Sequence, residues 1–120
     1  MTIGVNILNI NSIDDVKSLI NGAANEATNG AADQVLEIIK NEVHDKIVPI
    51  LENTVNWVRR EVLLRNVGLS NQSYNRRKFL DPLLELTWIQ LEYPGNQTHP
   101  NQRYKITESG LRLLNLISTK

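Results

Sequence analysis

NVGLSNQSYNRRKFLDPLLELTWIQL, residues 66–91, divides into a turn, a helix and the start of a strand. Val67-Gly68-Leu69-Ser70 is the turn. Gly68 takes the positive φ that closes a preceding helix, and Ser70 offers a side-chain oxygen to the open N–H groups of the next one. Phe79, Leu80, Leu83 and Leu84 follow at helical spacing, with Arg76, Arg77 and Lys78 in a row just before them. Asp81-Pro82 falls inside this pattern as a fresh start signal, Asp as cap and Pro as first helical residue. The spacing therefore predicts a helix from Asn71 to about Leu80, a kink, and a continuation to Leu86. Trp88 to Tyr93 alternates apolar and polar residues, as a strand does. A helix ended by Gly, a short turn, and a second helix with polar and basic residues near its start form the pattern of a DNA-binding helix-turn-helix.

Toward the C-terminus, Pro94-Gly95-Asn96-Gln97-Thr98-His99-Pro100-Asn101 is a loop by every breaker signal. Arg103 to Ile106 is a second strand with Tyr104 and Ile106 on one face. Thr107 caps a last helix that buries Leu111, Leu114 and Ile117. Strand, long polar loop and strand after a helix-turn-helix make a wing. The predicted fold is mainly α with a small β-hairpin (α+β): a winged helix-turn-helix over residues 46–120, preceded by an acidic helical extension, residues 1–45.

Toward the N-terminus, Asn56 is placed to cap a helix with Val58, Val62, Leu63 and Val67 inward and Arg59, Arg60 and Arg65 outward. Before it, Leu36, Ile39, Val43, Ile47 and Ile50 recur at spacings of three and four. Pro49 interrupts this stripe and predicts a break near Val48. The stripe fits packing on the chain's own core; the other reading is a homodimer through residues 31–55. Asn21-Gly22-Ala23-Ala24 recurs as Asn29-Gly30-Ala31-Ala32, a joint or a weak helical connector. Ser12 reads as the cap of a short helix, with Asp14 and Asp15 in its first turn and Gly22 at its close. Met1–Asn11 alternates only in part and fits a short strand or, better, a loosely ordered terminus.

A chain of 120 residues suits one domain with an appended segment. The absence of cysteine excludes disulfides, cysteine-based zinc sites and thiol catalysis. No apolar run is long enough for a membrane span, and the first residues lack the basic start of a signal peptide, so a cytoplasmic protein away from membranes is expected. The net charge is zero but unevenly spread. Residues 1–45 hold two lysines against seven acidic residues, net −5, and residues 46–120 hold eleven basic against six acidic residues, net +5. Either the basic half meets a polyanion, or the acidic half neutralises it.

From about Arg60 to Leu114 the chain resembles the winged-helix module at the C-termini of Fic-family proteins (filamentation induced by cAMP) and of related bacterial regulators. The resemblance lies in Val67-Gly68-Leu69-Ser70, in Phe79-Leu80-Asp81-Pro82-Leu83-Leu84-Glu85, and in Tyr93-Pro94 through Pro100 with Gln102-Arg103-Tyr104-Lys105-Ile106-Thr107. It covers a little under half the chain. Family members usually carry Gly where this chain has Thr87. The catalytic Fic motif, a His-Pro-Phe loop followed by Gly-Asn-Gly-Arg, is absent; Gly95-Asn96 and His99-Pro100 hold fragments of it in the wrong order. The resemblance implies the accessory module without the AMP-transferring domain.

No enzymatic pattern stands beside it. His44 and His99 lie far apart and match no metal spacing, and no phosphate loop, nucleophile elbow or carboxylate pair is present. No cofactor is expected, and His44 reads as a solvated helix residue. The residues predicted to meet double-stranded DNA are Asn71, Gln72, Ser73, Asn75 and Arg76 at base edges, and Arg77, Lys78 and Arg103 at phosphates. Tyr74 suits a phosphate or the helix packing, and Asn96, Gln97 and His99 suit the backbone or minor groove. A DNA-binding transcriptional regulator is one expectation. The other is a winged-helix protein-interaction or dimerisation module with no DNA role, since a fold alone does not settle function.

Overall fold

The computed structural model describes residues 10–21 and 32–118. Most of the Met1–Asn11 segment and of the Asn-Gly-Ala-Ala repeat, with the expected Gly22 stop, lies outside the described residues. The fold is helix-rich with one small antiparallel sheet, an α+β arrangement. Contacts gather the chain into two compact units, Met1–Asp45 with Arg112–Lys120, and Lys46–Leu111.

In the first unit, α1 (Ile13–Asn21) packs on α2 (Ala32–Glu42). Ser12 opens α1 as the sequence predicts. Its hydroxyl accepts from the Asp15 N–H at 3.3 Å, and the Asp15 carboxylate in turn accepts from the Asn11 N–H at 2.8 Å. This nearly reciprocal pair satisfies donors that a helix start leaves open. Val16 and Ile20 of α1 and Val35 and Ile39 of α2 are buried. His44, expected in solvent, is also buried, at 8% exposure.

The stripe through Ile50 is not one helix. α2 ends at Glu42, and α3 (Ile47–Glu52) starts afresh. The break precedes the predicted one because the N–H groups of Val43 and His44 share the Ile39 carbonyl, at 3.0 and 3.1 Å, which ends the ladder. Pro49 then falls in the first turn of α3, where its missing donor costs nothing. Ile39, Ile47 and Ile50 are at most 1% exposed within the single chain. They are core residues, while Leu36 and Val43 of the same stripe stay partly exposed.

The second unit continues with β1 (Val58–Arg59), α4 (Arg60–Asn66), α5 (Ser73–Asn75), a π-helical turn at Arg76–Leu80, α6 (Asp81–Glu85), β2 (Ile89–Leu91), β3 (Arg103–Ile106) and the first turn of α7 (Glu108–Ser118). The expected two-stranded hairpin is a three-stranded sheet in the order β1-β3-β2. Val58 pairs with Tyr104 and Arg59 with Arg103. The sequence predicts a helix capped by Asn56 here; Val58 and Arg59 are instead extended because the free edge of β3 offers their backbone a ladder partner. Ile89 pairs with Ile106 and Leu91 with Tyr104 on the other edge. Ile50, Leu51, Leu63, Leu64, Leu80, Leu83, Trp88 and Tyr104 are all fully buried.

Thr107 caps α7, its hydroxyl accepting from the Gly110 N–H at 3.0 Å. The buried face is the predicted one only in part: Ile117 is buried and Leu114 half-buried as expected, but Leu111 is 39% exposed, and Leu113 and Leu116 are buried instead. Gly110 sets this phase. A Cβ there would fall on the Trp88 carbonyl oxygen and within 2.7 Å of Ile106 Cγ1, so the turn of helix against Trp88 must present its glycine. Residues three and seven positions later then share that side.

Candidate nucleic-acid interface

α4 ends as the sequence predicts. Gly68 adopts φ +83°, its N–H bonds to the Arg65 carbonyl at 3.0 Å, and the Leu69 N–H reaches the Leu64 carbonyl at 2.8 Å. This is a Schellman stop, which needs a residue without a Cβ penalty at the left-handed position. Beyond it the structure departs from expectation. Ser70 does not cap the next helix, which starts at Ser73 with Gln72 as its extended N-cap residue. The polarity is reversed: Asn75 Nδ2 donates back to the Ser70 carbonyl at 2.9 Å and to the Ser70 hydroxyl at 3.2 Å. Asn71 and Gln72 therefore belong to the turn, and Asn75 is engaged in bracing it.

The helical run 73–85 passes Pro82 without a break. Proline has no N–H to offer and its ring clashes with the carbonyl four residues back. The wider π turn at Arg76–Leu80 absorbs that defect. Phe79, Leu80 and Leu83 stay buried on one side. Asp81 is not a cap. Its carboxylate sits 3.5 Å from Arg76 and accepts a hydrogen bond from Gln97, tying the helix to the long loop.

The predicted cations consequently differ in availability. Arg77 is exposed and has no ion-pair or hydrogen-bond partner among the described residues. Lys78 is exposed and lies over the rings of Tyr74 and Phe79, at 5.6 and 5.3 Å. Tyr74 is itself 59% exposed and so faces solvent. Arg76 has only 14% of its side chain exposed beside Asp81. Arg103 forms a two-pronged pair with Glu92, both contacts 2.6 Å. The hydrogen bond from Arg103 holds the Glu92 carboxyl below the usual carboxylate range and raises the Arg103 guanidinium above its own.

The loop between β2 and β3 is a chain of turns. The N–H groups of Asn96, His99 and Gln102 each reach the carbonyl three residues back, at 3.0–3.1 Å. Gln102, 1% exposed, stitches them. Its Nε2 donates to the carbonyls of Tyr93 and Asn96 at 2.9 and 2.8 Å, and its Oε1 accepts from the Tyr93 N–H at 2.9 Å. The His99 ring stacks on Tyr93 with centroids 4.0 Å apart, and its Nδ1 accepts from the Asn101 N–H at 2.9 Å. Asn96 stays exposed at the loop surface, its Oδ1 accepting weakly from Thr98 at 3.4 Å.

One cleft joins the turn, the helix and the loop. It has a volume of about 180 Å³ and is lined by Arg60, Asn71, Gln72, Ser73, Arg76 and Thr98. Asn71, Gln72, Ser73 and Arg76 were expected at the site; Arg60 and Thr98 were not singled out. Arg60 was legible only as an outward residue of its helix, and no local pattern shows that it turns under residue 71. Its Nε donates to Asn71 Oδ1 at 3.3 Å. Its Nη1 is buried without a hydrogen-bond partner, and so is the Tyr104 hydroxyl. Burial pushes that hydroxyl above the ordinary phenol range, with the nearby Arg60 charge pulling it down.

Among the described residues no cluster of three or more His, Asp or Glu side chains is placed to hold a metal. No described helix is long and apolar enough to cross a membrane. Comparison with family models, curated proteins and solved structures returns no match to this chain.

Proposed function

We propose that this chain is a DNA-binding winged-helix protein, a cytoplasmic transcriptional regulator and not an enzyme. The observation that carries the reading is the face led by residues 71–74, where polar side chains are exposed together with Arg77 and Lys78, neither held by a carboxylate. The Schellman stop at Gly68 and the loop pinned to Asp81 support it, because they fix this face relative to the β2–β3 loop. Unit Lys46–Leu111 carries nine basic against six acidic residues, an excess suited to a polyanion. Asn and Gln at the turn suit adenine edges, and Arg77 and Lys78 suit phosphates. The Fic C-terminal resemblance is consistent with such a module.

Fluorescence anisotropy of a random duplex tests this. Arg77, Lys78 and one phosphate near the cleft amount to about three neutralised charges, a salt slope of roughly −2.7. Affinity should fall roughly 40-fold between about 50 and 200 mM salt. Arg77→Glu/Lys78→Glu should weaken binding at least about tenfold with the fold intact. A folded double variant that binds like wild type overturns the reading.

The protein-docking reading draws on a different observation. Arg76, expected at a base edge, and Arg103, expected on a phosphate, are already paired with Asp81 and Glu92, and Tyr74 is 59% exposed. Failure of the duplex to bind at low salt would favour it.

A further inference from the structure

The cleft under residue 71 holds two guanidinium groups and an excess of donors. Arg60 has no carboxylate within ion-pair distance among the described residues; its Nε donates to Asn71 Oδ1 at 3.3 Å, and its charge lies beside the buried Tyr104 hydroxyl. A guanidinium that no carboxylate neutralises favours an anion beside it. Arg76 forms the other wall. Its charge partner among the described residues, Asp81, is 3.5 Å away, well beyond the 2.7–2.9 Å typical of a charge-assisted hydrogen bond. Asn71, Gln72, Ser73 and Thr98 complete the lining with amide and hydroxyl groups. No carboxylate residue lines the cleft, and its volume of about 180 Å³ is that of several water molecules.

We propose that this cleft is a phosphate-binding site, with Arg60 supplying the principal charge and Arg76, Ser73 and Thr98 the flanking donors. Two guanidinium groups suit an anion with more than one negatively charged oxygen. Donors from the turn, the helix and the loop line the cleft, more than the two oxygens of a carboxylate would use. The phosphate is either a backbone diester of nucleic acid or free inorganic phosphate. The site rests on the DNA reading only for the first of these sources.

Two arms on the full chain separate the outcomes. In the first, inorganic phosphate is titrated at constant ionic strength against chloride while amide NMR shifts are followed. Saturable shifts at Asn71, Ser73 and Thr98 are expected with phosphate and not with chloride, and they should vanish in Arg60→Gln. In the second, duplex binding is measured for wild type, Arg60→Gln and Arg65→Gln, an exposed arginine on the same helix. Arg60→Gln should lose roughly tenfold and lower the salt slope by about one, and should exceed the effect of Arg65→Gln. Loss in both arms, or in the duplex arm alone, assigns the backbone diester as ligand. Loss in the phosphate arm with no duplex binding by wild type assigns free phosphate and sinks the DNA reading. Folded Arg60→Gln indistinguishable from wild type in both arms overturns the proposal, even where duplex binding itself persists. Should Arg60→Gln fail to fold, Arg60→Lys, which keeps the charge and loses the fork, is read beside Ser73→Ala/Thr98→Val, which removes flanking donors; wild-type binding by both folded variants in both arms overturns the proposal equally.

Discussion

Thr87 holds a conformation that a β-branched residue adopts at a cost. Its φ is 63°, in the left-handed region, at the bend between α6 and β2. Two hydrogen bonds hold it there, its hydroxyl donating to the Leu86 carbonyl and its own carbonyl accepting from the Thr107 hydroxyl. Glycine would hold the same φ without that cost. Thr87→Gly should raise stability by about 1 kcal/mol, read as a higher urea midpoint. Gly68 and Gly110 respond to alanine for different reasons. Nothing lies within 4 Å of a Cβ on Gly68, so Gly68→Ala loses only the cost of its φ of +83°, about 1 kcal/mol. Gly110→Ala meets the Trp88 carbonyl and Ile106, and should lose about 1–3 kcal/mol through overpacking. Equal losses at the two glycines would contradict this distinction.

At the scale of elements, the base of the β2–β3 loop carries the two-pronged Arg103–Glu92 pair. Arg103 holds Glu92 in its ionised form, so folding lowers the pKa of this carboxyl below its ordinary 4.5. The unfolded chain therefore takes up the proton first. The contribution of the pair is complete above pH 4.5 and is lost as pH falls through the lower folded value. The urea midpoints of wild type and Glu92→Gln should differ at neutral pH and converge below pH 4.5; parallel curves throughout would contradict the pairing. The sequence announced this loop by its prolines and asparagines, and it announced the Gly68 stop, the Ser12 and Thr107 caps and the inward pair Tyr104 and Ile106. Those features are local and follow from one residue's chemistry. What escaped was set by distant partners. The strand at Val58 exists because β3 has a free edge, Ser70 accepts from Asn75 while Gln72 takes the N-cap position, and the phase of α7 comes from the fit of Gly110 against Trp88. At the site, the polar run 71–78 was legible. That Arg76 and Arg103 face carboxylates, and that Arg60 completes a cleft, required the fold.

On the scale of the whole molecule, charge and structure divide in the same sense. Residues 1–45 are net negative, while the exposed Arg77 and Lys78 and the cleft belong to unit Lys46–Leu111, which is net positive. A polyanion should engage the second unit and leave α1 and α2 untouched. Amide NMR of the full chain, titrated with a random duplex at about 50 mM salt, tests this most directly. The predicted result is a set of shifts confined to Asn71–Lys78 and Asn96–His99, with the amides of α1 and α2 unmoved. Saturating duplex that leaves Asn71–Lys78 in place, or that shifts α1 and α2 instead, would contradict a DNA-binding role for the helix after Gly68.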